Sequence, residues 1–268
     1  MIFPFRDDVP AQRLPVVTYL IIVINVAALV WMTRQPPLMQ NVIAYQHGFI
    51  PLRLAQLQVP QAIPLQVAVP QRPGFPPQVM RVVLEPDRAE IYMSLITAMF
   101  LHGGWLHLIG NMWFLWIFGD NIEDRLGHIG FAALYLVGGV LASLCHWYMQ
   151  PDSSVPLIGA SGAVAAVLGA YTITWPFARV HTFVFLVIFF TVVELPALAV
   201  LGFWFIEQLL AARAVEGKLA AAGVAWWAHV GGFLAGMGLM QVLSFGMPDE
   251  PPRDDHPFDS VEDARQVV

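Results

Sequence analysis

The chain has 268 residues, 57% of them hydrophobic and only 12% charged, whereas a soluble globular domain carries roughly 25% charged residues. That balance excludes an ordinary soluble domain and indicates a polytopic membrane protein. The net charge of −6 offers no basic surface for nucleic acid, and the single cysteine, Cys145, excludes an internal disulfide framework.

In chain order, residues 1–14 form a short N-terminal segment ahead of the membrane domain, which is expected over 15–245. The uncharged run 16–32 is just long enough to cross a hydrocarbon core, which takes about 20 residues with some latitude. Asp7 and Asp8 precede it and no small-residue cleavage pattern follows, so it reads as a retained span and not a cleaved signal. The first loop, 33–92, is not membrane-like. Its centre carries Pro60, Pro64, Pro70, Pro73, Pro76 and Pro77, which rules out a continuous helix and favours an extended loop. Short structured pieces are expected at 49–54 and 79–84, close to the interface.

Further apolar spans are expected at about 103–119, 129–149, 157–177, 196–212 and 224–245. Between 157–177 and 196–212 lies 180–193, crowded with β-branched residues such as Val180, Thr182, Val184, Ile188 and Thr191, a composition that favours strand over helix. Whether the chain makes six spans or seven turns on this segment. The acidic tail, 246–268, reads as solvated and disordered. Positive charge does not orient the whole, because Arg and Lys are balanced between the two sides. The fold class expected is an all-α, six-helix membrane bundle with a long proline-rich first loop.

Hydrogen-bonding side chains at membrane depth are costly and need partners or a wet cavity. His107 and Asn111 are four apart and share one helix face, with His102 just before that helix. Ser161 stands in Gly159-Ala160-Ser161-Gly162 at the mouth of another span, and His229 heads a third, followed by Gly232 and Gly236. A glycine-flanked serine is by itself more often a packing residue. Four polar residues within the same third of three spans suggest chemistry instead. A serine hydroxyl is a weak nucleophile until a base takes its proton, and His229 supplies one. The oxyanion of an acyl transfer needs preorganised donors, and His107, Asn111 and the Ser161 backbone N–H supply those.

No acidic residue stands where it could orient His229, so the set is a dyad. Gly232 and Gly236, facing Ala165 and Gly169, allow the two helices to approach closely. If Ser161 and His229 meet, both near the N-terminal ends of their spans, a single crossing must separate them. That places 180–193 at the interface as a hairpin or re-entrant element. The histidines lack metal-ligand spacing, and no cofactor is expected. Glu123 and Arg125 read as a structural ion pair.

These pieces, His102, His107-x-x-x-Asn111, Glu123-Asp124-Arg125-Leu126-Gly127, Gly159-Ala160-Ser161-Gly162 and Ala228-His229-x-x-Gly232-x-x-x-Gly236, resemble the rhomboid intramembrane serine proteases over about 95–243. The resemblance implies a six-helix core, Ser161 as nucleophile, His229 as general base and His107 and Asn111 as oxyanion donors. It implies Gly159 as a backbone contributor, and Gly162 and His102 as structural neighbours of the site. It further implies single-span or polytopic membrane-protein substrates, cut near the outer face, and a bacterial plasma membrane with both termini cytoplasmic. A catalytically silent, client-binding relative is the alternative. This sequence departs from the family in having Ala165 where an aromatic often packs on the histidine, which makes Trp226 or Trp227 the candidates to orient His229. It also has a proline-rich insertion in the first loop in place of a Trp-Arg pair.

Overall fold

The structure, a computed structural model, describes residues 2–69, 78–186, 189–214 and 224–247. The proline-rich stretch 70–77 and the acidic tail beyond residue 247 lie outside the described residues. Among the described residues, three helices are long and apolar enough to cross a membrane: α1 (Val16–Thr33), α4 (Trp105–Met149) and α6 (Ala197–Ala214). Two more, α5 (Ser161–Thr174) and α7 (Trp226–Leu243), pack with α4 at the centre of the molecule.

Helix α4 has 45 residues, about 67 Å at 1.5 Å per residue and roughly twice a bilayer core of about 30 Å. It is divided at Gly127, whose backbone (φ 70, ψ 168) leaves the helical region. That positive φ suits glycine, and the two arms on either side are each about 33 Å long. Before the break, the chain holds Asp120, Asn121, Glu123 and Asp124, which serve the elements around them. Pro15 precedes α1 and gives no side-chain cap, so the first N–H groups of α1 need acceptors from elsewhere. Glu123, 1% exposed, supplies them. Its Oε1 accepts from Val17 N at 2.8 Å, and its Oε2 accepts from both Thr18 N and Thr18 Oγ1 at 2.7 Å. His128 is the carboxylate's remaining partner. The expected Glu123–Arg125 ion pair is therefore corrected: orphaned amides of a neighbouring helix are the stronger demand on a buried carboxylate.

The expectation of an all-α fold is also corrected, because the described residues contain five strands. Strands β4 (Arg179–Leu186) and β5 (Phe189–Pro196) pair as an antiparallel hairpin from Arg179↔Pro196 to Leu186↔Phe189. Of the alternatives open for 180–193, the chain adopts the hairpin, as its β-branched composition favours. The N-terminal segment is itself a strand, β1 (Ile2–Asp7), which adds to β4 and makes the sheet order β1-β4-β5. Trp113 Nε1 donates to Pro4 O at 2.8 Å and fastens this strand to the first arm of α4.

The first loop is more structured than its prolines suggest. It holds α2 (Pro37–His47), a 3₁₀ helix (Pro51–Leu57), the hairpin β2 (Ile63–Val69) with β3 (Gln78–Leu84), and α3 (Arg88–Thr97). Pro64 is accommodated because β2 is half of a two-stranded ribbon, where an absent N–H can face outward. Asp87 caps α3 by accepting from Ala89 N and Glu90 N.

At the centre, α5 and α7 touch backbone to backbone. A β-carbon at Gly236 would fall on the Ala166 carbonyl, one at Gly232 on the Gly162 carbonyl, and one at Gly169 on Phe233 O. The small-residue rows read from the sequence are thus the contact surface of these helices. Among the described residues, α6 is the one helix between α5 and α7 in the chain, and the hairpin precedes it.

Candidate active site

Ser161 is the first residue of α5. The expected span 157–177 is shorter as a helix, because the chain approaches it extended: Leu157 forms an isolated antiparallel bridge with Phe49. Gly159 then turns into the helix at φ +127, a conformation side chains rarely adopt. A β-carbon there would lie 2.7 Å from His107 Cε1 and 2.8 Å from its Nε2. Glycine is therefore required twice over, for the turn and for the closeness of the imidazole. Gly162 is equally constrained, since a β-carbon would lie 2.7 Å from the Ala142 Cβ.

His229 lies one turn into α7 and is 9% exposed. Its Nε2 stands 2.8 Å from Ser161 Oγ. Its Nδ1 stands 2.7 Å from Oε1 of Gln208 on α6. An amide oxygen only accepts, so a bond to Oε1 requires Nδ1 to be the donor, and Nε2 can then present its lone pair to the serine hydroxyl. Such a pair can move a proton off an attacking oxygen.

The Gly159–Ser161 turn is flanked by the start of α4. His102, 1% exposed, accepts through Nε2 from Asn111 Nδ2 at 3.0 Å and from Ala160 N at 3.4 Å. It thereby fixes both the amide of Asn111 and the turn before Ser161. His107 packs its ring edge to face on His102, with centroids 5.1 Å apart. The first N–H groups of α5 lack intrahelical acceptors, and the positive end of the helix dipole lies at the serine.

Each side chain singled out in the sequence has a definite place. Ser161 and His229 meet directly; Asn111, His107, His102 and Gly159 form one contiguous group beside them; Gly162, Gly232 and Gly236 line the α5–α7 contact. Of the two tryptophans considered for orienting His229, Trp226 meets its ring edge-on at 5.9 Å, whereas Trp227 packs with Ala212 and Val230. Trp204 of α6 adds a tilted ring at 6.0 Å. Ala165, fully buried, lies opposite Gly232, where a β-carbon would already be 3.2 Å away; the helix contact leaves no room for an aromatic.

Gln208 was missed. The signal was present, since an amide inside the apolar run 196–212 must find a partner at membrane depth. His128 holds Glu123, and His146 is buried. Among the described residues no group of three or more His, Cys, Asp or Glu side chains could hold a metal ion.

The family model described as Rhomboid domain matches residues 89–245. The chain is similar to Rhomboid-like protein 11, chloroplastic, of Arabidopsis thaliana, with 42% identity over 73 residues, 27% of this chain and 26% of that protein. It is similar to Rhomboid protein 1, mitochondrial, of Saccharomyces cerevisiae, with 34% identity over 108 residues, 39% of this chain and 31% of that protein. A third relative is RHOMBOID-like protein 6, mitochondrial, of Arabidopsis thaliana, 33% identical over 153 residues, 56% of this chain and 43% of that protein. The chain thus spans less than half the length of each of these relatives. Their names overturn the expectation of a bacterial plasma membrane: they are chloroplastic or mitochondrial proteins and point to an organellar membrane.

Proposed function

The chain belongs to the rhomboid family, and on that premise we propose that it is an intramembrane serine endopeptidase acting on single-span or polytopic membrane proteins in an organellar membrane. The observation that carries this reading is the 2.8 Å contact of His229 Nε2 with Ser161 Oγ, at the abutting ends of two helices. In the proposed reaction the Ser161 Oγ–H bond breaks as Oγ bonds to the scissile carbonyl carbon. The proton passes to His229 Nε2 and then to the leaving amine, and a water molecule completes hydrolysis by the same route. The developing oxyanion is held by the Ser161 N–H at the positive end of α5, by the Asn111 amide and by His107. Asn111 suits that task because His102 already fixes one side of its amide.

We read six crossings: α1, the two arms of α4, α5, α6 and α7. Ser161 stands at the start of its helix, so the site lies near one membrane boundary, on the outer side by the family's topology. A substrate helix must unwind there, because helical hydrogen bonds bury its carbonyls.

The test is cleavage of a single-span reporter in liposomes by the wild type, Ser161→Ala and His229→Ala. Both substitutions should abolish cleavage and labelling of Ser161 by a fluorophosphonate. Cleavage by Ser161→Ala would overturn the mechanism. Wild-type protein that binds the reporter without cutting it would be a client-binding protein instead.

A further inference from the structure

We propose that Gln208 is a positioning residue for the Ser161–His229 pair, holding His229 in the one tautomer that leaves Nε2 free to take the serine proton. This rests on the reading of Ser161 as nucleophile and His229 as base. The bond itself is short, 2.7 Å from Nδ1 to Oε1, and both partners are buried, Gln208 at 7% exposure and His229 at 9%. It completes a chain of hydrogen bonds, Gln208–His229–Ser161, drawn from α6, α7 and α5 in turn.

The other groups around the imidazole cannot do this. Trp204 and Trp226 confine the ring from two sides, at 6.0 and 5.9 Å between centroids, but an aromatic surface does not distinguish one protonated nitrogen from the other. The titratable groups nearest in the electrostatics of His229 are His107 and His146, both on α4, and neither is its hydrogen-bond partner. Glu207, beside Gln208 in sequence, is on the exposed side of α6. The tautomer is therefore selected by the Gln208 oxygen. With the proton on the wrong nitrogen, Nε2–H would face Ser161 Oγ as a donor and could accept nothing.

An amide performs the orienting half of the work a carboxylate does. When Nε2 takes the proton, the imidazolium still donates through Nδ1 to a neutral oxygen, and that bond strengthens as charge develops. An interaction stronger in the transition state than in the ground state acts on kcat. Substrate affinity is untouched, because Gln208 meets only the back of the imidazole.

The experiment uses the full chain in liposomes, with the single-span reporter and fluorophosphonate labelling of Ser161 across pH. Gln208→Leu should lower kcat roughly ten- to a hundredfold with KM unchanged, the loss expected for a hydrogen bond to an ionised group. Gln208→Glu should restore kcat and move the acid limb of the kcat/KM profile to higher pH, because a carboxylate behind the imidazole favours its protonated form. A merely structural glutamine would not give the rescue, because a buried carboxylate in its place would restore no packing that leucine lacks. Wild-type labelling rates in Gln208→Leu, or a Gln208→Glu profile whose limb does not move, would overturn the proposal. Should Gln208→Leu fail to fold, Gln208→Met takes its place, and wild-type kcat in that variant would overturn the proposal. Loss of activity in Ser161→Ala alongside an unaffected Gln208→Leu would sink this inference and leave the protease reading standing. Cleavage by Ser161→Ala would sink the reading beneath both.

Discussion

Polar side chains in an apolar setting are conspicuous because each must be compensated, which is why Ser161, His229, His107 and Asn111 could be picked out before their contacts were known. What the sequence did not disclose is how they are supported. His102 was placed near the site, yet its bonds to Asn111 Nδ2 and Ala160 N depend on the first loop and α4 folding back over the α5 turn. Gln208 is 21 positions from its partner and on another helix, and no local pattern marks such a pairing. The residue-scale prediction concerns Asn111. If its amide is an oxyanion donor, Asn111→Ala should cost about 10²–10³ in kcat with little change in KM. Reporter kinetics check this, and an equal rise in KM would show instead that Asn111 holds substrate in its ground state.

At the level of elements, local composition decided some outcomes and long-range pairing decided others. The β-branched run in β4 and β5 was strand-like on its face. Strand β1 was not, because its partner is 182 residues away at Ile2↔Val184, and pairings of that kind leave no periodic trace. The prolines of the first loop concealed a hairpin for the opposite reason: a two-stranded ribbon tolerates a missing donor on its free side.

Two element-scale predictions follow from contacts that leave no slack. Gly236→Ala places a methyl group on the Ala166 carbonyl and should destabilise the α5–α7 pair by about 1–3 kcal/mol, the usual cost of overpacking. The thermal midpoint in detergent should fall, and an unchanged midpoint would contradict the backbone contact. Glu123→Ala strips acceptors from two N–H groups and a hydroxyl at the start of α1. Leaving buried donors unsatisfied costs about 1–3 kcal/mol each, so this loss should exceed that of Gly236→Ala.

Over the whole molecule, one carboxyl group ties the N-terminal strand to two helices of the bundle at once. Asp7, at the end of β1, accepts through Oδ2 from Asn121 Nδ2 of α4 at 2.8 Å and from the Tyr171 hydroxyl of α5. Burial is the main cause that pushes its pKa from 3.8 up to about 7; the Tyr171 hydrogen bond opposes that, and Asp120 and Asp8 add to it. The sign follows from linkage: a folded-state value above the unfolded one means that the native protein holds this proton more tightly. The stabilisation is complete below about pH 4 and is lost as pH rises through about 7, with an upper bound of about 4 kcal/mol. Thermal unfolding in detergent between pH 5 and 8.5 should therefore show stability declining with pH in the wild type. Asp7→Asn, which keeps an acceptor oxygen without the titration, should flatten that decline and be the more stable form at pH 8. The loss belongs to the β1 attachment and not to the Ser161–His229 contact, because the Asp7 carboxyl bonds to Asn121 and to Tyr171, which lies at the end of α5 remote from Ser161. Hydrogen exchange at pH 8 should accordingly show β1 and β4 opening before α5 and α7, and uniform opening of the bundle would refute the assignment.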